Sequence, residues 1–172
     1  MIEKIVSGGQ TGVDRAALDV AIITKIPHGG WCPKGRKAED GTIHQKYRLK
    51  ETKTDDYSER TKMNIVDSDA TLILVPSKPI KVTDGTILTI NEVVSKKKPH
   101  LVIDLSDRQN MAESIIQWIN EHNIKVLNVA GPRESQSPGI YKIALDFLES
   151  IIKKLSIQKK QSVCDTFIRP RL

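Results

Sequence analysis

The stretch Ile2-Glu-Lys-Ile-Val-Ser7-Gly-Gly-Gln-Thr-Gly12-Val-Asp-Arg-Ala-Ala-Leu-Asp19-Val-Ala21 decides the fold class. It begins with a short apolar run, continues with a glycine-rich turn, and ends with small apolar residues at helical spacing. This order predicts a buried strand, a tight turn and a helix, which together form the opening unit of an α/β domain.

The rest of the chain repeats the alternation of short apolar runs with helical patterns. Further strands are predicted at residues 26–31, 70–76, 100–105 and 125–130. Helices are predicted at residues 13–21, 87–94, 111–119 and 140–155. Strands that alternate with helices in this way are typical of an α/β fold with a mostly parallel sheet.

Length and composition exclude several classes of protein. The 172 residues are enough for one domain with its own core. The 38% hydrophobic and 28% charged residues exclude collagen-like, disordered and disulfide-scaffold chains. No apolar run is long enough to span a bilayer, and the first residues lack a signal-peptide pattern. We therefore expect a cytoplasmic protein with no membrane partner.

The net charge of +6 is concentrated at the C-terminus. Residues 153–172 contain six lysines and arginines against the single acid Asp165, which leaves only +1 for the preceding residues. A uniformly basic face for nucleic acid is therefore not expected, and a solvated tail is the preferred interpretation. We predict one domain over residues 1–155 and a basic extension over residues 156–172.

The glycine-rich turn after the first strand is the first candidate binding site. Glycines let the backbone approach a phosphate, and the following helix N-terminus offers free N–H groups. The spacing differs from the dinucleotide-binding and Walker A patterns, and a plain strand-to-helix turn in which Asp14 complements the helix dipole is the alternative. The candidate ligand-binding residues here are Ser7, Gly8, Gly9, Gln10, Thr11, Gly12, Asp14 and Arg15.

A second candidate region follows the short strand at residues 26–31. Trp31 is suited to stacking on a heteroaromatic ring, and Lys34 and Arg36 are suited to pairing with phosphate or carboxylate. Cys32 has two interpretations. It is either a nucleophile or soft metal ligand whose pKa the two cations lower, or a small buried apolar residue. No cysteine or histidine spacing typical of a zinc site occurs.

The polar stretch at residues 33–57 is longer than an ordinary connection, which is typical of functional loops. Its aromatic residues Tyr47 and Tyr57 favour an ordered loop that covers a ligand. Further polar candidates follow it along the chain. They are Arg60 and Asn64 one helical turn apart, Gly85 and Thr86 at a helix start, and Arg133 and Ser135 after the last strand. Because the carboxyl ends of parallel strands meet at one edge, these cationic groups predict an anionic ligand, most simply a phosphate or nucleotide.

These motifs resemble the molybdenum carrier family of the SLOG superfamily over residues 2–155. The resemblance is carried by residues 7–19 and 27–41, by Tyr57 with Arg60, Thr61 and Asn64, by residues 67–74, and by residues 131–135 with 138–141. It implies a three-layer Rossmann-like fold, with a parallel sheet and helices on both faces, in a homo-oligomer. It also implies molybdenum cofactor, a pterin with a terminal phosphate, as the ligand, with the phosphate held by the first glycine-rich loop and by Gly85 and Thr86.

The sequence departs from related phosphoribohydrolases of the Lonely Guy type at one loop. Asp84 precedes Gly85 and Thr86 where a glycine is usual, and Thr89 stands where those enzymes have a glutamate. The missing glutamate argues against release of a nucleobase by their route.

Two functions follow from the sequence. The first is a binding protein for a phosphorylated heterocyclic ligand. The second is a nucleotide-processing enzyme, such as an N-glycosidase, which needs a general acid or nucleophile. The candidate acids are Glu39, Asp40, Glu51 and Glu134, with Asp14 as a lesser candidate. For an enzyme, we expect Glu51→Gln or Glu134→Gln to abolish turnover while ligand binding persists.

Overall fold

The computed structural model describes residues 1–77 and 85–167. The strands are β1 (Lys4–Val6), β2 (His28–Gly29), β3 (Trp31–Cys32), β4 (Lys37–Ala38), β5 (Gly41–Thr42), β6 (Lys50–Glu51), β7 (Ala70–Val75), β8 (His100–Asp104) and β9 (Val126–Ala130). The helices are α1 (Val13–Ile23), α2 (Tyr57–Val66), α3 (Gly85–Ser95), α4 (Met111–Glu121) and α5 (Ile140–Phe167). The predicted alternation of strands and helices is confirmed.

The central sheet contains five parallel strands in the order β2-β1-β9-β7-β8. All six residues of β7 are buried, as expected for a strand covered on both faces. Its side chains alternate, so Leu72 and Leu74 pack toward α1, α4 and α5, while Ile73 and Val75 pack toward α2 and α3. The three-layer Rossmann-like fold with helices on both faces is confirmed.

The strand predicted at residues 26–31 is divided between two sheets. His28 and Gly29 pair with β1 in the central sheet, whereas Trp31 and Cys32 pair with β6 in a small separate sheet. Gly30 between them has φ +123°, and a Cβ there would clash with the Ser7 carbonyl. The change of direction at this glycine ends the strand earlier than the apolar pattern predicts.

The segment at residues 33–57 is ordered, as the sequence predicts, but it lies mainly beside the first glycine-rich loop. Cys32, Ile43 and Tyr47 form a small core with Leu18 of α1. The buried Arg36 guanidinium donates hydrogen bonds to the carbonyls of residues 43, 44, 47 and 49 over 2.9–3.3 Å. These bonds satisfy backbone carbonyls of the segment that would otherwise need hydrogen-bond donors from a sheet.

Helix α5 continues through the predicted domain boundary at residue 155 and ends at Phe167. The division into residues 1–155 and 156–172 stays a prediction. Among the described residues, no helix is long and apolar enough to cross a membrane.

Candidate functional site

A cleft of about 350 Å³ lies at the carboxyl edge of the central sheet. The segments that line it are the turn after β1, the first turns of α2 and α3, the end of β9 and the loop after β9. The structure brings together eight of the predicted binding residues there. They are Gly8, Gln10, Asp14, Arg60, Asn64, Gly85, Thr86 and Arg133.

Three N–H groups of the glycine-rich turn and the start of α1 donate to other groups of the protein. The Gln10 N–H donates to Asp14 Oδ2 over 3.4 Å, and the Thr11 N–H donates to Gln10 Oε1 over 3.0 Å. The Val13 N–H donates to the Pro132 carbonyl over 3.2 Å. The Asp14 carboxylate therefore occupies the position at this helix N-terminus that an anionic ligand would take.

Asp14 and Arg60 form a buried ion pair on the floor of the cleft. Arg60 Nη1 donates to Asp14 Oδ2 over 2.5 Å, and the side chains are only 15% and 5% exposed for Arg60 and Asp14 respectively. The guanidinium lies against Gly8, where a Cβ would overlap Arg60 Nη1. Glycine at position 8 therefore makes the room that this ion pair needs.

Two buried polar atoms of the cleft have no hydrogen-bond partner in the part of the chain that the structure describes. They are Arg60 Nε and Thr86 Oγ1. Thr86 is 3% exposed and lies in the first turn of α3, and a Cβ at the preceding Gly85 would meet no atom of the described residues within 4 Å. This part of the cleft contains donors that no described residue satisfies.

Glu39 joins three segments beside the cleft. Its carboxylate accepts hydrogen bonds from Thr11 Oγ1 and from the N–H and Oγ of Ser135. It also pairs with Arg133, whose Nε lies 3.4 Å away. Burial alone would raise the pKa of Glu39, but the bonds from Ser135 and Thr11 and the Arg133 charge lower it below its usual value.

Two of the predicted residues near this turn support the backbone. Ser7 Oγ donates to the Val129 carbonyl over 2.7 Å. Arg15 donates from Nε and Nη2 to the Gly9 carbonyl and forms an ion pair with Asp40 at 3.1 Å. The Arg15–Asp40 bond lowers the pKa of Asp40 despite the opposing effect of burial. Thr11 and Gly12 lie in the same turn, where Gly12 has φ +74°.

Trp31 lies outside the cleft and is held by other contacts. Its indole N–H donates to Asp67 Oδ2 over 2.7 Å, and Lys50 Nζ lies 5.4 Å from the ring centroid. The cleft residue Asn64 fixes the Trp31 backbone through bonds of 2.8 and 3.0 Å. The aromatic ring that does line the cleft belongs to Tyr57.

Cys32 is a free thiol buried in the small core under the segment at residues 33–57. Burial raises its pKa and outweighs the opposing charges of Arg36 and Arg60, so the interpretation with a lowered pKa is wrong. Arg36 is committed to backbone carbonyls, and Lys34 is exposed in a neighbouring turn. None of these three residues lines the cleft.

Two of the candidate acids, Glu51 and Glu134, make structural contacts away from the cleft. Glu51 Oε2 accepts a hydrogen bond from the Gly35 N–H over 2.6 Å. The Glu134 carboxylate accepts from the N–H groups of Gly139 and Tyr141 over 2.5 and 3.0 Å. Glu134 thereby caps the N-terminus of α5.

Eleven further residues line the cleft, among them Tyr57, which the sequence analysis placed in a loop that covers a ligand, and Leu88 and Asn128, which it did not assign. Asn128 is a buried polar residue within an apolar strand, and its Nδ2 donates to Thr71 Oγ1 over 3.2 Å. A polar residue inside an apolar run was the available sequence signal. Asp84, which the sequence analysis singled out, lies outside the described residues. Among the described residues, no group of three or more His, Cys, Asp or Glu side chains could hold a metal ion.

The five-stranded parallel sheet, its two helical layers and the cleft at the strand carboxyl ends define a Rossmann-like α/β domain. The model of the circularly permutated YpsA SLOG family matches residues 5–152, and the chain belongs to this family. The resemblance found in the sequence is confirmed at this level.

A crystal structure at 1.45 Å resolution of a protein from Syntrophus aciditrophicus SB named "Putative molybdenum carrier protein" is similar to this chain. The two are 48% identical, the match covers 87% of this chain and 94% of that chain, and the TM-score is 0.83. No curated protein matches the chain.

Proposed function

We propose that this chain is a binding protein for a phosphorylated heterocyclic ligand, which lies in the cleft at the sheet edge. One observation carries the proposal: the buried Thr86 Oγ1 and Arg60 Nε have no partner among the described residues. An unsatisfied buried donor costs about 1–3 kcal/mol, and native proteins keep few of them. A phosphate oxygen would accept hydrogen bonds from both.

The first turn of α3 supports a phosphate position. No described residue lies within 4 Å of a Cβ at Gly85, and the positive end of the helix dipole favours an anion. Arg60 adds a charge, and Asp14 neutralises part of it at the far side of the guanidinium. The ligand therefore needs a negative group but not a highly charged one.

The cleft also offers surface for a planar ring. Tyr57 offers an aromatic face, while Leu88, Val129 and Ala130 add apolar surface. The cleft volume of about 350 Å³ falls at the lower end of small-molecule sites, which span roughly 300–1,000 Å³. A single heterocycle with a phosphate group matches this size.

Molybdenum cofactor is our candidate cargo, because the similar protein from Syntrophus aciditrophicus is named a molybdenum carrier. Tyr57 would contact the pterin, and Thr86, Arg60 and Arg133 would contact the phosphate. Cys32 is buried in another core, so we do not expect its thiolate to bind the molybdenum. The predicted homo-oligomer stays a prediction, which light scattering of the purified protein tests.

Analysis of small molecules released from the purified protein tests this function. We expect mass spectrometry, with fluorescence after oxidation, to find a phosphorylated pterin or another phosphorylated heterocycle. The loaded ligand or an added nucleoside monophosphate should raise the Tm of the wild type. Thr86→Val should lose most of this shift, whereas Thr24→Val, whose hydroxyl bonds the Val20 carbonyl outside the cleft, should keep it. An empty protein that neither phosphorylated pterins nor nucleotides stabilise would contradict the proposal.

A nucleotide-processing enzyme is the second candidate, and Asp14 favours it. This carboxylate is 3% exposed, lines the cleft and lies against Arg60, as a catalytic acid or nucleophile would. Release of a free base from a nucleoside monophosphate would support it. Asp14→Asn should then abolish turnover, with Glu51→Gln and Glu134→Gln measured beside it. Absence of product with every nucleotide that binds would contradict it.

A further inference from the structure

The Glu39 carboxylate is fully engaged by neighbouring groups and lies outside the set of residues that line the cleft. Thr11 and Ser135 donate to both of its oxygens, and the Arg133 guanidinium completes the set. The side chain is only 19% exposed. These contacts argue against Glu39 as a general acid, because both of its carboxylate oxygens already accept hydrogen bonds.

Arg133 is the member of this cluster that does reach the cleft. Its Nε lies 3.4 Å from Glu39 Oε2, and no described residue forms a hydrogen bond with its two Nη atoms. A guanidinium held by Nε keeps its Nη groups available for a phosphate or carboxylate. The side chain is 43% exposed, so without Glu39 it would be free to choose other rotamers.

The turn that carries Arg133 is fixed by the same cluster. The Ser135 N–H donates to Glu39 over 3.1 Å, and the Glu134 N–H donates to Thr11 Oγ1 over 3.1 Å. The Glu39 backbone is fixed in turn, since its N–H donates to Gln10 Oε1 over 2.9 Å. Glu39 thus connects the β4–β5 turn to the turn after β1 and to the loop after β9.

We propose that Glu39 is a positioning residue, which holds Arg133 through Nε so that the two Nη groups bind the anionic part of the ligand. The ligand-binding half of this inference rests on the proposed function. The other half, that Glu39 fixes the Arg133 side chain, does not depend on any ligand.

NMR of the arginine Nε–H groups tests the fixing directly in the full-length protein. The Arg133 signal is assigned by its loss in Arg133→Ala. Glu39→Gln keeps the side-chain shape and one acceptor but removes the charge, and we expect the ¹⁵N order parameter of Arg133 Nε to fall from about 0.8 to below about 0.6. The Arg60 signal should not change. Asp146→Asn, which removes the carboxylate paired with Lys142 on α5, should leave both signals unchanged.

Titration with inorganic phosphate and adenosine monophosphate tests the second half. We expect Arg133→Ala to weaken binding roughly 10-fold or more and Glu39→Gln about three- to tenfold. If Glu39 acts through Arg133, the double variant binds as Arg133→Ala alone within about twofold. Independent, multiplying losses would overturn the proposal.

The outcomes separate the two proposals. An Arg133 signal that Glu39→Gln leaves unchanged overturns the positioning role, whatever binds in the cleft. A wild type that binds neither probe counts against the proposed function, while the NMR result still decides on Glu39. Should Glu39→Gln fail to fold, Glu39→Asp replaces it. That variant keeps the charge but withdraws it from Arg133 by one methylene, and it should lower the same order parameter.

Discussion

The turn after β1 and the start of α3 both place a glycine and a helix N-terminus at the same edge of the sheet, but they differ in how their polar groups are used. In the first turn, the side chains of Gln10 and Asp14 accept the backbone N–H groups. At the start of α3, Thr86 Oγ1 has no partner among the described residues. A glycine-rich turn is thus not an anion site by composition alone, because its donors must also be unused.

Removing the Asp14 carboxylate from the turn after β1 is expected to give the largest effect on this difference between the two helix starts. Asp14→Ala leaves the Arg60 charge buried without its partner, so we expect the free energy of unfolding to fall by about 3–5 kcal/mol. Asp40→Asn breaks the more exposed Arg15–Asp40 pair and should cost less than about 1 kcal/mol. Urea unfolding of both variants measures the difference. Equal losses would show that Asp14 has no special part in the turn.

Adding one methyl group at each turn probes the same difference through packing. Gly8→Ala places a Cβ on the Arg60 guanidinium and should destabilise the protein by about 1–3 kcal/mol. Gly85→Ala meets open space at the start of a helix and should stabilise it by up to about 1 kcal/mol. In thermal unfolding, we expect the Tm to fall in Gly8→Ala and to rise in Gly85→Ala. A destabilised Gly85→Ala would mean that the space at α3 is not free.

The Thr86 hydroxyl predicts a smaller effect on stability, and the sign of this effect changes when a ligand is bound. Thr86→Val removes a buried donor without a partner, so the ligand-free protein should gain roughly 1 kcal/mol of stability. In the presence of a phosphorylated ligand, the same variant should be the less stabilised one. Thermal unfolding with and without ligand checks both signs, and a loss of stability in the free protein would contradict the assignment.

The last prediction concerns, at high pH, the two tyrosines that donate to Asp19. Tyr47 and Tyr141 both donate to Asp19 on α1, over 2.9–3.0 Å. Burial, together with the bond to Asp19, raises the pKa of Tyr141 to about 12. Because the folded pKa lies above the unfolded value of about 10, this contribution to stability is complete below pH 10 and is lost as the pH rises through 12. Tyrosinate absorbance and unfolding against pH should differ in Tyr141→Phe over this range, and identical profiles would contradict the assignment.

The fold was largely accessible from the sequence because apolar runs and helical stripes are local. Residues 72–75 of β7 form an uninterrupted apolar run, and α5 begins at Ile140, the first residue of its apolar stripe. The ends of the strands and helices could be predicted less well from the sequence. Gly30 redirects the second strand through a contact with Ser7, and helix α5 continues past the last residue of its apolar stripe.

The residues of the candidate site could be predicted from the sequence where the sheet topology alone brings them together. Arg60, Thr86 and Arg133 follow parallel strands or begin helices, so their convergence follows from topology. Trp31 and Cys32 were expected at the site, but they belong to a segment whose course is set by its own core. Contacts between residues distant in sequence, such as Trp31 with Asp67, cannot be inferred from spacing.

The Arg36 guanidinium has a consequence for how the protein opens locally. The carbonyls that it holds lie at most 13 residues away in the chain, whereas β1 and β7 both pair with the distant Leu127. Closing such a short loop costs little chain entropy, so the segment can close without the sheet. Its amide protons at residues 36, 43 and 49 should therefore exchange with solvent as one cooperative block, at a rate governed by a single cation rather than by the parallel strands.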